Sequence, residues 1–205
     1  LVNADYPYNE QVNETDLVNV DKSACDVLLE RRAVTLLSKL MEEINGWGQI
    51  SAVSGWRSMQ EQENIYAQSL KENGSEFTQK YVALPGHSEH QTGLAIDLAL
   101  TSDNIDFIRP DFPYTGICQT FRELSSQYGF IERYPQKKES ITGIAHEPWH
   151  FRYIGVPHAE IMKKNDLCME EYIPFIKQFA YGEQKYNFTV AQKNFSVSYL
   201  PASEA

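Results

Sequence analysis

The chain has 205 residues, is 42% hydrophobic and 22% charged, and carries a formal net charge of −10 at pH 7. That balance suits one ordinary globular domain able to bury a real core. The acidity withholds the cationic surface that nucleic acid or an anionic membrane demands, and no run of about 18 apolar residues is available to span a bilayer.

Residues 1–20 are polar, with prolines and asparagines, and read as an extended lead-in. From Lys22 to Asn45 the apolar residues Val27, Leu28, Leu36, Leu37, Leu40, Met41 and Ile44 recur at helical spacing, and Asn45-Gly46 ends that helix. Gln49 to Ser54 alternates as a short strand. Ser58 with Glu61 three residues later is a capping-box pattern that starts a helix running to about Glu72, where Asn73-Gly74 stops it. Arg57 then sits at the joint between strand and helix.

Leu94 to Leu100 reads as a strand with Leu94, Ile96 and Leu98 on one face and Ala95 and Asp97 on the other. Phe121 to Tyr128 is a further amphipathic helix closed by Gly129. Phe130 to Tyr134 and Trp149 to Ile154 read as strands, and Glu160 to Asn165 and Glu170 to Ala180 as helices. Tyr186, Phe188 and Val190, then Phe195, Val197 and Tyr199, alternate around Gln192-Lys193-Asn194 as a hairpin. The mixed order of elements fits an α+β fold better than a doubly wound sheet. The tail 181–205 is expected to fold onto the domain formed by residues 1–180, with self-association through its aromatics as the alternative.

Cys25, Cys118 and Cys168 are odd in number and widely spaced, and no C-x-x-C occurs. A disulfide framework and a thiolate metal site are both disfavoured, and a reducing compartment is expected. A membrane-anchored or extracytoplasmic location follows only if an upstream segment is missing, since the chain begins at Leu1.

Two stretches carry the chemistry: Ser88-Glu-His-Gln-Thr-Gly-Leu-Ala-Ile-Asp97 and Glu147-Pro-Trp-His150. Two imidazoles, His90 and His150, with the Asp97 carboxylate make a three-ligand set that leaves one position for water. That is the pattern of catalytic rather than structural zinc. Glu147, three residues before His150, can take a proton from that water. His90 and Asp97 lie seven residues apart, about 23 Å in a straight strand or about 10 Å in a helix. Sharing one ion requires a bend, and Gly93 permits it. The bland alternative makes Asp97 a surface aspartate and His90 a satisfied loop histidine.

His146-Glu-Pro-Trp-His150 matches H-E-x-x-H literally, but Pro148 would sit inside the helix that motif needs. His146 is therefore read as a neighbour of the site. His87 is placed at the pocket mouth and His158 in a structural role.

With Ser54-Gly-Trp-Arg-Ser58, Leu84-Pro-Gly-His-Ser-Glu-His-Gln91, Gly93-Leu-Ala-Ile-Asp97 and Glu147-Pro-Trp-His-Phe-Arg-Tyr153, the chain resembles the D-alanyl-D-alanine carboxypeptidase family of zinc peptidases, which includes the VanY and VanXY enzymes of glycopeptide resistance. The resemblance covers roughly residues 1–165. It implies a central antiparallel sheet flanked by helices, with one zinc ion held at the sheet by His90, Asp97 and His150. It implies Glu147 as base, Arg57 as the group polarising the scissile carbonyl, and Gln62 and Ser88 as holders of the substrate's terminal carboxylate. A salt bridge at a helix start is the competing role for Arg57. The expected substrates are peptidoglycan precursor stems ending in D-Ala-D-Ala, or the free dipeptide. An L,D-carboxypeptidase and a non-catalytic zinc-containing binding module are the alternatives. The tail after about residue 181 and His87 depart from the family pattern.

Overall fold

Short alternating segments rich in Ile, Val, Phe and Tyr supply a sheet, and the helices on either side of it are built from longer amphipathic stretches. The computed structural model describes residues 1–10, 12–21, 26–190 and 193–201. The lead-in is not wholly extended. A 3₁₀ turn, Glu14–Asp16, is capped by the Asn13 side chain. It is followed by β1 (Leu17–Asn19), which pairs antiparallel with β2 (Leu28–Glu30).

The helix expected from Lys22 therefore begins later. Lys22 to Cys25 lie outside the described residues, Leu28 to Glu30 are strand, and α1 runs Arg31–Glu43. Glu30 decides the boundary, because its carboxylate accepts from the Arg32 and Ala33 N–H groups while its own N–H donates to the Gly93 carbonyl.

β3 (Ile50–Ser54) leads into α2 (Met59–Tyr81), where the Ser58 hydroxyl accepts from the Glu61 N–H as expected. The helix does break at Gly74 (φ 80°), but the chain resumes helical geometry to Tyr81. Ser69 Oγ and Thr78 Oγ1 lie 2.8 Å apart, whereas nine residues of straight helix would separate them by about 13.5 Å. The second segment thus folds back over the first.

β4 (Ala95–Leu100), α3 (Gly116–Leu124), β5 (Phe130–Tyr134), the single turn α4 (Glu139–Thr142) and β6 (Glu147–Tyr153) follow. α3 starts earlier than expected, and Ser125–Tyr128 is a 3₁₀ extension ended by Gly129. α5 (Val156–Lys164), α6 (Met169–Lys177) and the hairpin strands β7 (Tyr186–Val190) and β8 (Lys193–Val197) complete the chain. Lys193 and Asn194 belong to β8 rather than the turn, and Gln192 lies outside the described residues.

The central sheet has the order β3-β4-β6-β5, antiparallel throughout. Leu37, Leu40 and Met41 of α1 and Phe121 of α3 pack with Ile96, Leu98, Phe130 and Phe151 in one cluster. A second cluster joins Ile131 to Ala159 and Ile161 of α5, Tyr172 and Ile176 of α6, and Phe188 of the hairpin. Among the described residues no helix is long and apolar enough to cross a membrane.

Candidate metal centre

The two central strands place the site. Asp97 on β4 is the register partner of His150 on β6 and of Ser54 on β3. Directly opposite residues on one face of a sheet bring their Cβ atoms to about 5 Å, so two functional side chains converge without any loop between them. His90 arrives from a 3₁₀ turn, Glu89–Thr92, that ends at Gly93 in the left-handed region (φ 69°). A Cβ there would lie 2.9 Å from Leu17 Cδ2. The bend expected at Gly93 is present, and it sets His90 Nε2 3.2 Å from Asp97 Oδ2.

The His90 ring is oriented by its other nitrogen. His90 Nδ1 lies 2.6 Å from the Gly55 carbonyl, which can only accept, so Nδ1 carries the hydrogen and Nε2 keeps its lone pair. Gly55 itself is pressed against β2, where a Cβ would meet the Leu28 carbonyl at 2.3 Å. His150 Nδ1 lies 2.9 Å from Asp97 Oδ1. Ligand atoms of His90, Asp97 and His150 all fall within 4.8 Å of one another, and all three residues are buried. Two imidazole nitrogens and one carboxylate are the donor set that suits a borderline-soft divalent cation, so the residues present could hold a metal.

The electrostatics differ between the two imidazoles. Burial lowers His90 to about 4, so its ring is neutral, as a ligand must be. Burial alone would raise the Asp97 carboxyl, but His90 and His150 beside it hold it below the usual carboxylate range. His150 is raised to about 9: burial opposes the charge, and the bond to Asp97, the nearby Glu89 carboxylate and the charges of Asp97 and Glu147 outweigh it, giving the ring a proton that a bound cation would have to displace.

Glu147 Oε2 is 3.8 Å from His150 Nδ1. Strict alternation would send residues 147 and 150 to opposite faces. They meet because the β5–β6 ladder shifts from Glu132↔Phe151 to Tyr134↔Glu147, two residues on β5 against four on β6. That irregularity also accommodates Pro148, which has no N–H to give a ladder. Burial pushes the Glu147 carboxyl up to about 8, against the pull of His150 and with help from Asp97. Residues 147–153 are strand, so the helical H-E-x-x-H arrangement is absent. His146 lies 2.7 Å through Nε2 from the Tyr114 hydroxyl and is not among the clustered ligand atoms.

Arg57, at the β3–α2 joint, donates from Nη2 to Asp97 Oδ2 (2.9 Å) and from Nε to Ser54 Oγ (2.8 Å), with its guanidinium 5.6 Å from the Phe107 ring centre. The salt bridge foreseen as its competing role exists, and it is to the candidate ligand itself. Gln62 and Ser88 line the same cavity as Arg57, His90, Asp97, Glu147 and His150. One amide hydrogen of Gln62 goes to the Ala83 carbonyl (2.8 Å), leaving the other available, and its Oε1 is buried without a partner. His87 Nδ1 meets the Asn3 carbonyl and lines an adjoining cavity, while His158 meets the Tyr172 hydroxyl at 2.6 Å.

Sequence reasoning missed the residues behind the site. Glu89 and Tyr134 flank His150, and Arg133 and Arg152 flank Glu89 in turn. The one signal was Arg133 in a short strand with Phe130, Ile131 and Tyr134, since a strand arginine seldom has room to be buried unless it is paired.

Comparison with known proteins follows the same outline. Residues 26–156 match the family model VanY, D-alanyl-D-alanine carboxypeptidase. The chain is 38% identical over 179 residues to the bifunctional D-Ala-D-Ala dipeptidase and D-Ala-D-Ala carboxypeptidase VanXYC of Enterococcus gallinarum, covering 87% of this chain and 94% of that protein. It superposes on the crystal structure of the vancomycin resistance D,D-dipeptidase VanXYg in complex with a D-Ala-D-Ala phosphinate analog. There the TM-score is 0.95 and the identity 50%, over 100% of this chain and 81% of that one. A VanY D,D-pentapeptidase variant from a VanB-type resistance cassette, crystallised with Zn(II), is similar at TM-score 0.69 and 29% identity, over 84% of this chain and 97% of that one.

Proposed function

The chain belongs to the VanY family of D-alanyl-D-alanine carboxypeptidases, and we propose from that premise that it is a zinc-dependent D,D-peptidase hydrolysing the terminal D-Ala-D-Ala amide of peptidoglycan precursors, with a role in vancomycin resistance. The observation that carries this reading is the buried His90–Asp97–His150 cluster with Glu147 and Arg57 on the same cavity. A relic binding module would be expected to have lost one of the last two.

His90 through Nε2, Asp97 and His150 through Nδ1 would hold one zinc ion. Bound there, zinc supplies the Lewis acidity that makes water a competent nucleophile near neutral pH. Glu147 takes the proton of the attacking water and returns it to the departing nitrogen of the terminal residue. A cation beside Glu147 favours its ionised form, offsetting the upward push of burial. Arg57, permanently charged, faces the oxygen on which negative charge develops. The Ser88 hydroxyl and the second amide hydrogen of Gln62 offer neutral donors to the substrate's terminal carboxylate. Residues 1–180 form the catalytic domain, and the hairpin of 181–205 folds onto it rather than onto a second copy. The buried, unpaired thiols of Cys118 and Cys168 suit a reducing compartment, which supports a cytoplasmic location.

The test is a side-by-side assay of the free dipeptide D-Ala-D-Ala, a stem pentapeptide and a stem tetrapeptide. Release of D-Ala from the first two is expected. Cleavage confined to the tetrapeptide would make the chain an L,D-carboxypeptidase, and cleavage of none would make it a binding module.

A further inference from the structure

Glu89 precedes a candidate ligand in the chain and lines the same cavity, yet its side chain is 0% exposed. Its Oε1 accepts from Arg133 Nε at 2.8 Å. Its Oε2 is buried and unpaired, 3.7 Å from His150 Nε2 and 3.7 Å from Arg152 Nη1. Those two nitrogens are themselves buried and unpaired. One acceptor and two donors thus face each other with no other partner, and a shift of under about 1 Å brings them to hydrogen-bond distance. Arg133, also 0% exposed, is forked onto Glu170 at 2.9 and 2.6 Å, so its charge has a second anion and does not by itself require Glu89.

We propose that Glu89 is a positioning residue for the metal site, accepting from the Nε2–H of His150 and so turning Nδ1 towards Asp97. The inference rests on the reading of His90, Asp97 and His150 as the ligand set. A carboxylate behind a ligating imidazole fixes the tautomer and strengthens the ring as a donor. Arg133 and Arg152 keep the charge on Glu89 where water cannot reach it. His150 is then oriented by Glu89 at Nε2, which leaves the Nδ1 lone pair on the side of Asp97, free for a cation.

Two measurements test this without relying on turnover. In Glu89→Gln, which keeps the volume and removes the charge, zinc affinity measured by competition with a chromophoric chelator is expected to fall about 10–100-fold, and the visible spectrum of the Co(II)-loaded protein to change. An affinity within twofold of wild type, in a folded variant, overturns the proposal. Should the variant prove insoluble, ¹⁵N NMR of the zinc-loaded wild type labelled at histidine decides alone. Hydrogen on Nε2 of His150 is expected, and hydrogen on Nδ1 overturns the assignment. Failure of the ligand reading itself would show separately, as a wild type that does not retain zinc.

Discussion

Asp97 is approached by three buried side chains. Arg57 Nη2, His90 Nε2 and His150 Nδ1 all lie within 3.2 Å of its two oxygens. Replacing it removes one candidate ligand and one partner from each of three buried side chains. Asp97→Ala is therefore expected to lose zinc on dialysis, read by metal analysis against the wild type, and unchanged occupancy would remove Asp97 from the ligand set. Arg57→Ala is expected to lower kcat about 10²–10³-fold, the usual cost of deleting one group that faces developing charge. Because Arg57 also touches Asp97, zinc content must be measured on the same sample. Loss of metal would make Arg57 a support for the ligand rather than a group facing substrate. The residues the structure clusters as possible ligands, His90, Asp97 and His150, were nameable from the chain because ligand chemistry allows few residue types and the two motifs hold them. Glu89, Arg133 and Arg152 were not, because a buried ion pair leaves no local pattern: their partners lie 44 and 63 positions apart in the chain, and only the sheet brings them together.

At the scale of elements, the bend at Gly93 was legible, since no regular element could bring His90 to Asp97. Gly93→Ala puts a side chain at φ 69° and a Cβ 2.9 Å from Leu17. A loss of about 1–3 kcal/mol is expected, measured by denaturant unfolding, together with weaker zinc binding because His90 sits on the same turn. Stability equal to wild type would mean that the turn relaxes freely. The start of α1 was not legible. Val27 and Leu28 share the helical period of Leu36 and Leu37, but pairing with β1 claims Leu28–Glu30 as strand. Periodicity cannot register a strand partner some ten residues away. The passage of α2 beyond Gly74 was hidden for a similar reason, because the Ser69–Thr78 contact that holds the second segment forms only once the chain has folded back.

For the molecule as a whole, the sheet order β3-β4-β6-β5 makes the two strands that carry Asp97 and His150 the inner pair, with hydrogen-bonded neighbours on both sides. The hairpin adds to this from a distance. Phe188 is buried in the cluster with Ile161, Tyr172 and Ile176, so Phe188→Ala is expected to cost about 3–5 kcal/mol in urea unfolding. A value near zero would show that the hairpin does not pack on this domain in solution. Burial pushes the Cys118 and Cys168 thiols up to about 11, so both are expected to resist alkylation at pH 8 until the protein unfolds, as read by peptide mass spectrometry.

The most direct test pairs metal content with D-Ala-D-Ala hydrolysis in wild type and Glu147→Ala. Equal zinc in both, with turnover of the variant lower by about 10²–10⁴-fold, is the expected result for a general base beside an intact ligand set. A variant that keeps its zinc and cleaves at the wild-type rate would contradict the account.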